Sequence, residues 1–367
     1  MEIVHQNSQT GFQVLLICGL GSEREAAEQE LRAAGVPMAI ADRAIWATED
    51  RGLQPRFLLA RDASGRACGG VAIEESRTRA LPGHVVLKVR RFGNGLPIEV
   101  CRGLAEALAS VAKNAPRVLR LQVNVFSPDN REAIDGIFKE IGFAEVQPPS
   151  SYRHTLVIDL KPTDDEVFAT FSKSARQAIR DTTKKGLKSI ILTEPKYAER
   201  LNQLQEEALR RTGGDFHADD WEETLRLSRE HPNLSCIFGL FLGDGTAPED
   251  MVAFSWVMNQ GDHGEYRAAG STRRSDIKVS LGYLPVWEMI RWSKATGAIW
   301  FDMGGVTLEG SGDSALEGIS AFKRYFSQKV AEVGSEWAFE PSPAKAKFAS
   351  LFSDVARQLR GSLIKRH

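Results

Sequence analysis

The chain is poor in the residues that staple a fold, gather a metal ion or anchor a protein in a bilayer. It has four cysteines in 367 residues, at Cys18, Cys68, Cys101 and Cys236. None forms a Cys-x-x-Cys pair and no compact Cys/His cluster is present, which argues against a zinc site or a disulfide framework. Thiols scattered in this way are expected to be buried. The seven histidines show no ligand spacing either. No run approaches the roughly 20 consecutive apolar residues of a membrane-spanning helix. The opening Met-Glu-Ile-Val-His-Gln has neither a basic region nor an apolar stretch, so a cytoplasmic location is expected. Neither sign of charge dominates. Lys and Arg number 47 against 48 Asp and Glu, a net charge of −1, which gives no case for a general nucleic-acid binder, and no DNA partner is expected. A Gly-x-Ser-x-Gly nucleophile motif and a P-loop are both absent.

What is present is an ordinary globular composition, 42% apolar and 26% charged. The length exceeds one ordinary core and predicts two domains. Helix and strand signals alternate twice along the chain. In the first half, 23–34 reads as a helix ending at Gly35, and 56–60, 69–74 and 84–90 read as strands. A helix over 97–113 follows, with Pro97 near its first turn. It is succeeded by a strand (117–125), a helix (128–140) and the start of a strand (143–146). The stretch QPPSS at 147–151 is the linker candidate. The pattern then restarts with a strand over 153–160. Thr163 and Glu166 form a capping box that opens a helix, or close pair of helices, running to Gly186. Further strands are expected over 188–193, 235–242, 251–258, 264–269 and 299–303, and helices over 196–212, 219–230, 283–296 and 344–364. Alternating elements with paired strands point to α/β or α+β domains with mixed sheets. The expected division is 1–150, 151–340 and a basic C-terminal helix over 341–367.

Four features can carry chemistry. Lys173, Arg176, Arg180 and Lys184 follow steps of three and four and share one helical face. Phe168, Phe171, Ala175 and Ile179 form a separate apolar face. A basic stripe of this kind can hold phosphate, although taken alone it is more often a solvated surface. Second, the strand ending Phe301-Asp302-Met303 runs into Gly304 and Gly305, where the backbone can approach a ligand or simply turn. Third, Phe322 and Phe326 are four apart and stack on one helix face, which holds the intervening Lys323 in a fixed direction. A cation held so can stabilise charge developing on an attacked carbonyl; an exposed lysine on an amphipathic helix is the plainer alternative. Fourth, Arg90, Arg91, Gly93 and Gly95 fit the Arg-x-x-Gly-x-Gly loop by which acyl-CoA acyltransferases bind pyrophosphate at a helix start. A strand-to-helix turn is its simpler reading.

The order of these pieces resembles the Fem family of peptidyl and aminoacyl transferases. "TLVIDL" followed by "SKSARQAIRDTTKKGLKSIIL" is similar to the family's strand and Arg-rich helix. "MVAFSWVMNQGDHGEYRAAGS" resembles its strand pair leading to a Tyr. "YLPVWEMIRWSKATGAIWFDMGGV" resembles its helix, strand and Asp-x-Gly-Gly turn, and "GISAFKRYFSQKV" its Phe-Lys-x-x-Phe signature. The resemblance covers about 155–332; the first half is similar only to the general acyltransferase domain. It implies two tandem GNAT-like acyl-CoA N-acyltransferase domains and transfer of an activated aminoacyl or acyl group to an amine, such as that of a peptidoglycan precursor. It further implies Lys323 and Asp302 as catalytic residues. Arg176, Arg180, Lys184, Arg211, Tyr283, Gly304, Gly305 and Phe322 are the implied substrate-binding residues, with Arg90, Arg91, Gly93 and Gly95 as the donor loop. The donor, aminoacyl-tRNA or acyl-CoA, is a co-substrate, and no resident cofactor or metal is expected. The chain departs from the family where many members carry an Arg-Asp-Gly-Phe-like segment. Here Gly213, Gly214, Asp215 and Phe216 stand, with Arg211 close by, and Trp221 occupies a common Tyr position.

Two other readings stay open: an acyl-CoA-dependent N-acetyltransferase acting on another amine, and a non-catalytic protein that binds a nucleotide-sugar or peptide. The C-terminal segment 345–367 is basic and amphipathic, with Phe348, Leu351, Phe352, Val355 and Leu359 on one face. It can lie on the inner face of an anionic membrane or dock on its own protein.

Overall fold

The computed structural model describes residues 1–47, 53–78, 81–212, 219–308 and 314–349. It separates into two compact units, one of Met1–Arg153 with Val333–His367 and one of His154–Glu332.

The first unit opens with β1 (Glu2–Gln6), β2 (Gln13–Cys18) and helix α1 (Ser22–Ala33), then β3 (Arg56–Arg61), β4 (Ala67–Arg77) and β5 (Val85–Phe92). Helix α2 (Ile98–Asn114), β6 (Val118–Phe126), α3 (Arg131–Ile141) and the short β7 (Ala144–Glu145) follow. The β3–β4 hairpin turns where the Asp62 carboxylate accepts the Ser64 and Arg66 amides and Gly65 takes a φ of 82°. Neighbours up to β5 pair antiparallel, but β5 and β6 run parallel, in register Leu87↔Leu121 and Val89↔Val123. A parallel pair cannot be closed by a tight turn, and α2 supplies the crossover. Val100, Leu104 and Leu108 of α2 are buried with Val85, Leu87 and Val89 of β5 in one apolar core.

The second unit repeats the arrangement. Its elements are β8 (His154–Asp159), α4 (Asp164–Thr170), α5 (Lys173–Lys184), β9 (Lys188–Ile191), α6 (Ala198–Thr212) and α7 (Trp221–Glu230). Strands β10 (Ser235–Phe241), β11 (Met251–Asn259) and β12 (His263–Ser271), helix α8 (Tyr283–Ala295), β13 (Trp300–Gly305), α9 (Ser314–Lys323) and β14 (Val330–Glu332) complete it. The sheet order is β14-β8-β13-β12-β11-β10-β9, and among the described residues the one parallel pair is β12–β13, bridged by α8. The capping box at Thr163 is formed in both directions.

Three expectations change. The second domain does not extend to 340. Gly334–Phe339 returns to the first sheet as β15, between β6 and β7. Trp337 and Phe339 bury against Phe138 and Phe143, and Trp337 donates its indole N–H to Asp135 at 2.7 Å. No short-range pattern marks such a strand, because its partners lie about two hundred residues away. Strands β1 and β2, absent from the sequence reading, extend the same sheet. Of the four free cysteines only Cys101 and Cys236 are buried, Cys18 being exposed and Cys68 half-buried. Residues 343–349 are helical; Ala346 and Ala349 pack on Leu119, and Lys345 donates to the Pro116 carbonyl. The rest of the basic helix, including Leu351, Phe352, Val355 and Leu359, lies outside the described residues, as does the segment from Gly213 to Phe216. Among the described residues no helix is long and apolar enough to cross a membrane.

Candidate active site

The site forms where α9 meets the carboxyl end of β13. Phe326 is buried beneath α9 and packs on Phe171, Tyr283 and Phe322 at ring-centroid distances of 5.2, 5.6 and 5.5 Å. Tyr283, the first residue of α8, also meets Phe322 at 5.0 Å. These edge and tilted contacts are favourable aromatic geometry. They clamp α9 from one side and direct Lys323 to the other. Phe322 and Tyr283 therefore position Lys323 through packing.

Lys323 is 5% exposed. Its Nζ donates to the Gly305 carbonyl at 2.8 Å and stands 5.3 Å from the Tyr266 ring centroid. Gly304 has a φ of 71°, in the left-handed region. A Cβ there would come within 3.1 Å of the Tyr266 carbonyl and 3.3 Å of Lys323 Nζ. Glycine is thus required twice, for conformation and for room beside the ammonium.

Asp302 underpins this turn and is fully buried. Its Oδ1 accepts the Gly304 amide at 2.8 Å and faces the Thr155 hydroxyl at 2.5 Å; that hydroxyl is also 2.9 Å from the Gly304 carbonyl. In the parallel register Glu265 of β12 is the neighbour of Asp302 on β13, which sets two buried carboxylates side by side. Glu265 accepts from Gln260 at 2.5 Å and from Arg267 at 3.2 Å. Burial pushes the Lys323 ammonium down to about 8, against the opposing pull of Asp302 and then Glu265. The outcome is a dry amino group that is mainly cationic near neutrality and titrates within the working range of an enzyme.

The other expected residues divide. Arg176 is half-buried and donates to the carbonyls of Ala169 and Phe171, both at 2.6 Å, so it closes the end of α4. Arg180 lies 5.3 Å over the Phe168 ring, and Lys184 is exposed at the end of α5. The basic stripe is therefore a scaffold at one end and a solvated surface at the other. Arg211 is exposed at the end of α6. In the first unit Gly93 and Gly95 take φ values of 87° and 62°, and a Cβ on Gly93 would strike Ile134 at 2.4 Å. The loop has the backbone the motif requires, but its arginines are engaged. Arg90 pairs with Glu74 at 2.8 Å, and Arg91 lies 3.7 Å over the Phe126 ring.

Tyr266, Glu265 and Thr155 also belong to this cluster. Tyr266 is the Tyr to which the strand pair leads in the resemblance, without a role given to it there; an acid inside the strand "GEYRAAG" was the available signal for Glu265, and Thr155 offered none, because its partners come from β13. Among the described residues no group of three or more His, Cys, Asp or Glu can hold a metal ion.

No family model and no curated protein matches the sequence. Solved structures do. FemX superposes with a TM-score of 0.69 at 14% identity, over 86% of this chain and 96% of that one. L-PGS from Bacillus licheniformis gives 0.52 at 14% identity, over 92% and 97%. The C-terminal domain of a putative lysylphosphatidylglycerol synthetase from Agrobacterium fabrum gives 0.50 at 13%, over 90% and 97%. The expected fold is the observed one: two mixed α/β units in tandem, with a Fem-like architecture over nearly the whole chain.

Proposed function

We propose that the protein is a Fem-like N-acyltransferase, moving an activated acyl or aminoacyl group to an amine at the Lys323 end of β13. The observation that carries this reading is the buried Lys323 ammonium, held on the Gly305 carbonyl at 2.8 Å beside Gly304, where a side chain would crowd it. An acceptor amine attacks the carbonyl carbon of an ester or thioester, forming a C–N bond and an oxyanion. Lys323 stabilises the oxyanion, whose collapse breaks the C–O or C–S bond. The proton lost by the amine balances the one taken up by the leaving alcohol or thiol. No covalent enzyme intermediate is needed.

The donor is aminoacyl-tRNA or acyl-CoA, and the acceptor is the amine of a small molecule or precursor peptide. The peptidoglycan precursor is the family's acceptor and the first to test. A CoA donor is the second reading, favoured by the left-handed Gly93 and Gly95 ahead of α2. The test is a transfer assay read by mass spectrometry, with UDP-linked muramyl pentapeptide and either charged tRNA or a mixture of acyl-CoAs. A mass gain with charged tRNA that disappears in Lys323→Ala supports the Fem-type reaction. A gain only with acyl-CoA makes the loop 90–95 the donor loop. No gain in either arm rules out this acceptor, and full activity of Lys323→Ala sinks the assignment.

A further inference from the structure

In the first unit the strap that follows α1, residues 36–47, closes over a small apolar core. It makes two 3-10 turns, Ile40–Asp42 and Ala44–Trp46. Ahead of them Met38 is buried with Ile17, Leu31 and Phe57, and Ala39 and Ile40 are buried as well. Polar ties fix the strap at three points. Arg24 of α1, 3% exposed and 3.5 Å over the Phe57 ring, donates to the Asp42 carbonyl. Glu28, one turn further along α1, accepts the Ala44 amide at 2.6 Å and pairs with Arg24 at 3.0 Å. Asp42 Oδ1 accepts the Ala72 amide of β4 at 2.8 Å. The pairing of β4 with β5 runs from Glu74↔Lys88 to Arg77↔Val85. At Ala72 the Asp42 carboxyl group therefore stands in for a strand partner.

The third tie rests on an ionisable group in a poor place for a charge. Asp42 is 6% exposed, and among the described residues its carboxyl group has one hydrogen-bond donor, the Ala72 amide. A carboxylate offers about four acceptor positions, so a buried one with a single donor is under-solvated. Donors stand unused in the same cluster. Nε and Nη1 of Arg24 and Nε of Arg43 are buried and have no hydrogen-bond partner among the described residues. An ionised carboxyl group gains by turning to these guanidiniums, because charge-assisted hydrogen bonds are about twice as strong as neutral ones. A neutral one lacks that gain and keeps the Ala72 amide. Burial pushes the Asp42 carboxyl up to about 7 against the pull of the Ala72 amide, Arg24 and Arg43, and Glu28 adds to the rise. Arg32 of α1 acts on Arg43. Among the described residues no charged group of β4 or β5 contributes.

We propose that Asp42 is a proton-operated latch, which holds the strap on β4 while its carboxyl group is neutral and releases it on ionisation by turning toward Arg24 and Arg43. The latch belongs to the first unit and is independent of the transferase reading. Its direction follows from linkage. The carboxyl group is raised on folding above its unfolded value of about 3.9. Its contribution to closure is complete below that value and is lost as pH rises from there to about 7. Mild acid thus keeps the strap closed over Met38 and Phe57, and above neutrality the strap opens more often.

The experiment is hydrogen exchange of the full chain from about pH 5 to about 8.5, read by mass spectrometry on peptides spanning Ala44 and Ala72, with the intrinsic pH dependence of exchange divided out. In the parent, protection of both peptides is expected to fall about tenfold per pH unit up to about 7 and to level off above it. Peptides from β10 and β11 should show no such slope, which separates the latch from a general loosening. Asp42→Asn keeps an oxygen for the Ala72 amide but cannot ionise, so its profile should be flat. Glu28→Gln keeps an oxygen for the Ala44 amide and should retain the parent's slope at Ala72. Arg43→Gln removes a charge that favours ionisation, so its profile should level off at higher pH; it also serves if Asp42→Asn does not fold. A flat profile in the parent, an equal slope in Asp42→Asn, or an unmoved profile in Arg43→Gln would overturn the latch. Loss of the slope in Glu28→Gln would assign the proton to Glu28 and overturn it as well.

Discussion

The two loops that follow the first strand of each parallel pair present opposite combinations of backbone and charge. The loop 90–95 has the glycines, both left-handed, yet Arg90 and Arg91 are engaged by Glu74 and Phe126. The β12–α8 segment lacks that glycine spacing, yet its Arg273 lines a cleft and makes no hydrogen bond or ion pair among the described residues, at the strand ends where Lys323 is held. A recognisable motif therefore specifies a backbone shape. Whether its charges are available depends on which neighbours the fold brings to them.

The largest effect that would sharpen this contrast is at Lys323. Lys323→Ala should reduce turnover about 10²- to 10³-fold with little change in KM, as for loss of a transition-state contact. Arg91→Ala should leave turnover within about threefold under the Fem-type reading, since that reading gives Arg91 no role in the chemistry. A steady-state comparison of the two variants reads this directly, and a larger loss in Arg91→Ala would move the chemistry to the first unit.

Next come the glycines. Gly304→Ala forces a left-handed alanine against the Tyr266 carbonyl and the Lys323 ammonium. It should lower stability by about 1–2 kcal/mol and turnover with it. Gly93→Ala should destabilise by a similar amount, through φ and the contact with Ile134, without lowering turnover per folded molecule. Thermal melts and kinetics on the two variants separate the effects.

A smaller effect lies in pH. With Lys323 titrating at about 8, activity should fall as pH rises through that value and the cation is lost. Asp302→Asn retains an oxygen for the Gly304 amide but removes the charge that pulls the lysine upward, so the alkaline limb should move to lower pH. Stability carries the opposite sign. The lysine is lowered on folding, so the penalty for burying its charge is complete below about 8. That penalty is relieved as pH rises toward the unfolded value of about 10.4. Denaturant titrations of the parent and Lys323→Met at pH 7 and 9.5 would test this: the parent should gain relative to the variant at the higher pH.

The smallest change is on α5. Arg176→Ala removes two hydrogen bonds to carbonyls and should cost about 1–3 kcal/mol of stability, with turnover kept. Lys184→Ala, on an exposed turn, should alter neither by a measurable amount. A large loss of turnover in Lys184→Ala would restore the basic stripe as a substrate surface.

Much of this molecule was legible from near neighbours along the chain. The capping box at Thr163 and Glu166, the aromatic pair Phe322 and Phe326, and the strand running into Gly304 are all set by residues within four positions of each other. Local geometry and helical spacing are sufficient for these. The duplicated helix–strand order was legible for the same reason, and so was the aromatic anchoring that gives Lys323 a fixed direction, whereas its choice as a catalytic residue came from the resemblance. The side on which each charge is neutralised was not. Arg176 closes α4, Arg90 pairs with Glu74, and Glu265 comes to stand beside Asp302 through a parallel pairing that α8 makes possible. The last strand, Gly334–Phe339, enters the first sheet through partners near residues 122 and 144. Burial of Trp337 and Phe339 drives that return, and burial is a property of the packed whole. Hydrophobic contact and charge pairing act across space regardless of separation along the chain. Spacing alone could therefore name the elements and the direction of the lysine, while folding determined which strand joins which sheet and which partners neutralise each charge.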